Sequence, residues 1–262
     1  MIRTINSIKD PKIKLARDLQ TIKGRQDHSR CTTFGEQASQ WALQSQYWYP
    51  EYLIFDEKKV KNYQNFIESN QIKNISYSVS SGMLKKITNS AQDFNLVGVY
   101  KRENPSDMDW GSFVLVLDNV LDHGNLGTIL RTAASFSVET IILTSKENDF
   151  FSRRTIEASR GKVFSLNTLV FSNKIDLINL LKRRNYKLIV TTPKGGEQLK
   201  EINKVSIEKK ALVLGNETTG VSIDFTSAAD QRVYIPMSQD VESLNVGVAA
   251  GIFMYNFLNE KK

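Results

Sequence analysis

Four short runs in the second half of the chain are almost wholly apolar: Phe113–Leu117, Ile141–Thr144, Leu188–Thr192 and Ala211–Leu214. A strand with one face in water alternates apolar and polar residues, because successive side chains point to opposite faces. Runs that lack this alternation suit parallel strands covered on both sides. Helix-length segments lie between them, notably Gly127–Phe136 and Asp176–Arg184. A last strand signal at Val233–Ile235 precedes an apolar stretch, Leu244–Leu258, long enough only for a helix. Strands alternating with helices predict an α/β fold.

The first part of the chain shows the same alternation more weakly. Ile13, Leu15, Leu19 and Ile22 keep a helical rhythm through Asp10–Gly24, with Gly24 as the stop. Strand signals follow at Tyr52–Phe55, Ile75–Val79 and Leu96–Tyr100. The polar run Glu103-Asn104-Pro105-Ser106-Asp107 reads as a linker. A chain of 262 residues has room for two modest domains, here a smaller α/β domain over 1–105 and a larger one over 111–262.

Charge is unevenly spread. Arg3, Lys9, Lys12, Lys14, Arg17, Lys23, Arg25 and Arg30 stand against Asp10, Asp18 and Asp27, so eight minus three puts +5 of the net +7 in the first 30 residues. A polyanionic partner explains this, and so does a solvated amphipathic helix. The single cysteine, Cys31, excludes an internal disulfide, and His28 and His123 are too far apart in sequence to suggest a zinc cluster. The opening residues lack the apolar core of a signal peptide, and no apolar run reaches the roughly 18 residues of a membrane span. The expectation is a cytoplasmic protein without metal or membrane.

Neither a phosphate-binding Gly-x-x-x-x-Gly-Lys-Ser/Thr loop nor a Gly-x-Gly-x-x-Gly turn occurs. Three other stretches follow strands. In Leu117-Asp118-Asn119-Val120-Leu121-Asp122-His123-Gly124-Asn125-Leu126-Gly127, a polar turn leads to a helix with Asn125 as a credible N-cap and Arg131 near its start. In Leu214-Gly215-Asn216-Glu217-Thr218-Thr219-Gly220, the glycine after the strand lets something approach the backbone closely, and Glu217 could accept from a ligand or fix the arginine. In Ile235-Pro236-Met237 and Glu242-Ser243-Leu244-Asn245-Val246-Gly247, a proline ends a strand and Ser243 and Asn245 flank a helix start. Taken singly, each is equally an ordinary turn, cap or surface loop.

In order, the three stretches resemble the motifs of the SpoU family of RNA 2'-O-ribose methyltransferases, within the SPOUT class. The resemblance covers about residues 113–258, and Ala158-Ser159-Arg160-Gly161 is similar to its rRNA-modifying members. It implies a C-terminal α/β domain with a deep trefoil knot, preceded by a smaller ribosomal-protein-like substrate-binding domain that Ser7–Lys14 resembles in its opening. It implies S-adenosylmethionine as cofactor, held by Gly215, Ile235, Leu244 and, at a strand end, Thr192. It implies a homodimer whose site uses both subunits, with the last helix in the interface. Arg131 becomes the central catalytic residue, with Asn125, Glu217, Ser243 and Asn245 positioning it and the substrate. A guanidinium holds its proton tightly, so orienting the ribose and its phosphate suits Arg131 better than acting as base. Arg25, His28, Arg30 and Arg160 would face RNA. Large-subunit rRNA is the expected substrate, with tRNA or a non-catalytic RNA-binding role on the same fold as alternatives. Two positions depart from the family pattern: His123 stands where proline is frequent, and Gly247 replaces a common serine.

Overall fold

The computed structural model describes residues 2–102, 109–145, 147–202, 208–238, 240 and 242–258. The chain folds as two compact units, residues 1–104 with 151–165 and residues 105–150 with 166–262. A linear split at 105–111 is the sequence expectation; the structure gives residues 151–165 to the first unit instead. The run 103–107 read as a linker lies outside the described residues. Aromatic packing explains the excursion. Trp48 meets Phe151 at 4.4 Å and Phe164 at 6.1 Å between ring centroids, and Ser45 Oγ donates to the Phe164 carbonyl at 2.6 Å. Gly161, at φ +72°, sits so close to Trp41 that a Cβ would fall 2.3 Å from its ring. Only glycine fits there.

The first unit runs β1 (Arg3–Thr4), α1 (Pro11–Asp18), α2 (Ile22–His28), β2 (Arg30–Phe34), α3 (Gly35–Leu43), β3 (Trp48–Asp56), α4 (Gln64–Ser69), β4 (Ser76–Val79), α5 (Ser81–Thr88) and β5 (Leu96–Arg102). Its mixed sheet has the order β1-β4-β3-β5-β2. The period of two is visible in β3: Tyr52 and Ile54 join Ile13, Leu19, Leu84 and Ile87 on one side, while Leu53 and Phe55 join Phe66, Ile67 and Ile72 on the other. The expected single helix over Asp10–Gly24 is two helices. Asp10 caps α1, Leu19 ends it, and Thr21 Oγ1 accepts from Gly24 N at 3.0 Å to start α2. Gly24 is therefore a helix residue, not a stop. A Cβ there would lie 2.0 Å from the Asp18 carbonyl oxygen, so glycine allows α2 to fold back on the end of α1.

The second unit contains β6 (Phe113–Leu117), α6 (His123–Ser135) and β7 (Thr140–Leu143); after α7 (Arg153–Ala158), which belongs to the first unit, come β8 (Asn167–Val170), α8 (Lys174–Arg183), β9 (Lys187–Thr191), β10 (Glu197–Gln198), β11 (Lys210–Leu214), α9 (Ile223–Ala228), β12 (Gln231–Tyr234) and α10 (Val246–Leu258). The sheet is parallel throughout, in the order β10-β12-β9-β11-β6-β7-β8. Val114, Val116, Val190 and Val213 pack against Leu177 and Leu181 of α8 and Phe225 of α9. β6 is buried along its whole length, as its unbroken apolar run requires; truncating one of its leucines to alanine removes about 2–5 kcal/mol. Strand β11 lies between β6 and β9, with Leu214 opposite Leu117 and Val213 opposite Val190. Three carboxyl ends thus meet at one edge, the place where open parallel sheets bind ligands. Among the described residues no helix is long and apolar enough to cross a membrane.

Candidate active site

The turn after β6 is fixed from below by a buried carboxylate. Asp118 is fully buried; its Oδ1 accepts from Lys174 Nζ at 2.8 Å and from Thr144 Oγ1 at 2.8 Å, and its Oδ2 accepts from Ser222 N at 2.8 Å. Burial works to raise its pKa, but the hydrogen bonds from Lys174 and Ser222 outweigh it and hold the carboxyl below its usual value. Asn119 then turns the chain at φ +56°, a left-handed conformation asparagine tolerates. Its carbonyl accepts from Asn216 Nδ2 at 3.0 Å, and Asn148 Nδ2 donates to the Val120 carbonyl at 2.6 Å. Neither Asp118 nor Lys174 stands out in the sequence as a site residue, because their pairing spans 56 positions.

The cap of α6 is Asp122, not Asn125. The Asp122 carboxylate accepts from Asn125 N at 2.7 Å, which places His123 at the first helical position. That position favours proline because its N–H has no helical partner, so the family preference for proline at His123 has a local cause. With the cap supplied elsewhere, the Asn125 side chain is free to act. Its Nδ2 donates to Glu217 Oε1 at 2.7 Å, and its Oδ1 accepts from Asn245 Nδ2 at 2.9 Å. Asn245 in turn caps α10 by accepting from Gly247 N at 2.9 Å. One residue from each of the three motifs is thereby joined in a single chain of hydrogen bonds.

Gly215 does admit a close approach, but by the protein itself. A Cβ at this position would lie 2.2 Å from the Gly220 backbone carbon. Residues 216–220 close on themselves through Asn216 N to Gly220 O, 3.1 Å, and Gly220 N to Asn216 O, 2.9 Å. The Asn216 side chain accepts from Thr218 N at 2.9 Å inside the loop. This closed loop carries Glu217 outward, where it meets Asn125 and not Arg131.

A crevice of about 410 Å³ opens at the carboxyl ends of β9, β11 and β12. Gly215, Ile235, Leu244 and Thr192, the four positions expected to hold the cofactor, all line it, as do Glu217 and Ser243. Glu242 and Phe253 line it too, with no signal in the sequence to mark them. Asn125, Asn245 and Arg131 are not in the lining. Arg131 is exposed on α6 about one and two-thirds turns beyond Asn125, and its guanidinium has no hydrogen-bond or ion-pair partner among the described residues. The small residues of α10 face inward: a Cβ at Gly247 would lie 3.2 Å from Thr128 of α6. Val248, Ile252 and Tyr255 leave an apolar stripe exposed on the opposite side, at 54 %, 38 % and 60 %.

The four residues expected to face RNA lie in the first unit and differ in availability. Arg30 is engaged at all three nitrogens, by Glu51 at 2.6 and 2.8 Å and by the His28 carbonyl at 2.7 Å; the hydrogen bond to Glu51 raises its pKa. Arg25 donates to the Leu19 carbonyl at 2.5 Å, satisfying the end of α1. His28 and Arg160 are exposed, the latter at φ +51° beside Gly161.

Residues 112–255 match the sequence profile of the SpoU rRNA Methylase family. The chain is 28 % identical over 256 residues to the 23S rRNA (guanosine(2553)-2'-O)-methyltransferase RlmP of Bacillus subtilis, covering 97 % of this chain and 99 % of that one. It is similar to the crystal structure of an RNA 2'-O ribose methyltransferase, with 27 % identity, a TM-score of 0.72 and 97 % and 98 % of the two chains covered. It shares its fold with the AdoMet-bound rRNA methyltransferase of Sinorhizobium meliloti, at 24 % identity and a TM-score of 0.78 over 98 % and 97 % of the chains.

Proposed function

Since this chain belongs to the SpoU rRNA Methylase family, we propose that it transfers a methyl group from S-adenosylmethionine to a ribose 2'-hydroxyl of RNA, with large-subunit rRNA as substrate. The observation that carries this reading is the hydrogen-bonded chain Glu217–Asn125–Asn245, which ends at the crevice through Glu217. The knotted topology of the family and a cytoplasmic site of action belong to the same reading.

The crevice suits the cofactor by its donor set. Its volume falls within the roughly 300–1,000 Å³ of ligand pockets. Ile235, Leu244 and Phe253 supply apolar wall for an adenine, and Thr192 and the Gly215–Val221 backbone supply polar atoms for a sugar. Two carboxylates, Glu217 and Glu242, favour a positively charged sulfonium nearby. Once bound, S-adenosylmethionine supplies an electrophilic methyl group.

The protein's own part is to hold the ribose in line. Glu217 Oε1 is occupied by Asn125, which orients the carboxylate and leaves Oε2 to accept from the incoming hydroxyl. Asn125 is held in turn by Asn245. Arg131, whose guanidinium is uncommitted, grips the ribose and its neighbouring phosphate as a fork of donors. Ser243 adds a hydroxyl at the crevice wall. We place a second copy of the chain over the exposed stripe Val248, Ile252 and Tyr255, giving a homodimer in which α10 is the interface.

Tritium transfer from labelled S-adenosylmethionine to purified rRNA and tRNA pools tests the proposal. Label in the large-subunit rRNA is the expected result. Label in tRNA alone moves the substrate to tRNA, and no label in either pool refutes the activity.

A further inference from the structure

A recess of the first unit lies between α1, α2 and α5, about 580 Å³ in volume, and shares no residue with the crevice. Its charged lining is Lys14, Arg17, Lys23 and Lys86 together with Asp18 and Asp27. None of these six side chains has an ion-pair or hydrogen-bond partner among the described residues. Ion pairs do form elsewhere in the same unit, between Arg30 and Glu51, between Arg153 and Glu157, and between Lys85, the neighbour of Lys86, and Asp93. Opposite charges in one recess that leave each other unpaired are available to a ligand carrying both kinds of complement.

We propose that this recess takes one unstacked guanosine nucleotide of the substrate RNA, its phosphate on the lysines and Arg17 and its base edge on Asp18 or Asp27. The proposal rests on the reading of the protein as an RNA enzyme and adds an anchor that belongs to the other unit. A bare phosphate track would gain from cations and lose from carboxylates, so the two aspartates argue for more than backbone gripping. Carboxylates only accept hydrogen bonds. Among the RNA bases, guanine alone presents two adjacent donors, N1–H and the 2-amino group, on its pairing edge. Sequence-specific RNA recognition typically reads such edges on bases splayed out of the stack.

The local structure is built for a concave site. Gly24 lets α2 fold against the end of α1, and Ile87 of α5 is buried beneath the lining. Asn89 ends α5 in the left-handed conformation at φ 43° and lines the recess with a further donor and acceptor. His28 is the one residue of the four expected to face RNA that lies in this lining.

The test is fluorescence anisotropy of the full chain with labelled RNA decamers, an all-uridine strand and the same strand carrying one central guanosine, at several salt concentrations. Wild type is expected to prefer the guanosine strand at least fivefold. Asp18→Asn with Asp27→Asn should abolish that preference and leave the salt slope. Lys14→Gln, Lys23→Gln and Lys86→Gln together should flatten the log–log salt slope by about 0.7 for each phosphate that is no longer neutralised. These exposed changes should leave the melting temperature and S-adenosylmethionine affinity at wild-type values. An absent preference in wild type, a preference that survives the aspartate change, or a slope that survives the lysine change overturns the proposal. Methyl transfer to rRNA by wild type, measured alongside, separates the two failures: transfer without decamer preference removes the recess and keeps the enzyme, while preference without transfer does the reverse.

Discussion

The crevice and the recess are built from opposite materials. The crevice of the second unit is walled by backbone at a strand edge and by Ile235, Leu244 and Phe253, with few charges. The recess of the first unit is walled by six charged side chains. Shape and backbone suit a small molecule that must be held in one pose, whereas exposed charges suit a polymer that arrives from many directions. The contrast extends to their foundations: the crevice stands on loops locked by a buried carboxylate and a closed turn, while the recess stands on helix surfaces that water reaches.

The contrast breaks most sharply at Arg131. Arg131→Ala should lower kcat by about 10³-fold, because it removes the charged donor that grips the reacting ribose. Calorimetric S-adenosylmethionine affinity and circular dichroism should stay at wild-type values, and turnover within tenfold of wild type would remove Arg131 from the chemistry.

Next in size is Gly215→Val. Here the expected agent is internal: the new side chain collides with the Gly220 backbone and displaces the loop that carries Glu217. Cofactor affinity should fall at least about tenfold, roughly 1.4 kcal/mol, while the salt slope for RNA binding stays unchanged. A variant that binds cofactor normally would mean the closed loop does not shape the crevice.

A smaller effect is expected beneath the loops. Lys174→Met leaves the buried Asp118 charge without its counter-ion, held only by Thr144 and Ser222, which should cost about 3 kcal/mol. For a unit of this size that is roughly 6–12 °C in Tm. The pH dependence has a definite sign. The Asp118 carboxyl is held below its usual value, so its contribution to stability is complete above about pH 4 and is lost as pH falls through the lowered folded value. Asp118→Asn should therefore flatten the acid limb of the stability profile. An acid limb as steep as wild type would assign it to other carboxylates.

The smallest effect distinguishes committed from available charge. Arg30→Gln breaks the pair with Glu51 and should cost under about 1 kcal/mol, with no change in the RNA salt slope. A slope reduced by about 0.7 would show that Arg30 leaves Glu51 to bind phosphate.

The second unit is more legible in the sequence than the first, for physical reasons. Strands β6, β7, β9 and β11 are covered on both faces and read as unbroken apolar runs. Strand β2, with the sequence RCTTF, pairs with β5 along only one edge, and its two threonines hide it. The two-residue β10 and the polar start of β8 are equally silent. At the site, Asn125, Glu217 and Asn245 are legible as residues but not as a connected chain, because 92 and 120 positions separate the partners. The sequence points to Asn125 as the cap in place of Asp122 because both residue types suit the position. The charge of the first 30 residues is visible as a total. Which charges are committed, as Arg30 is, and which stay open, as Lys14 and Lys23 do, depends on Glu51 and on the fold around α5.

If the joined motifs methylate a ribose oxygen, the modified nucleoside itself carries the proof. The measurement is nuclease digestion of rRNA treated with the protein and isotopically labelled S-adenosylmethionine, followed by mass spectrometry of the nucleosides. One labelled 2'-O-methylnucleoside is expected, present with wild type and absent with Arg131→Ala. Label found on a base, or an Arg131→Ala product equal to that of wild type, would contradict the assignment.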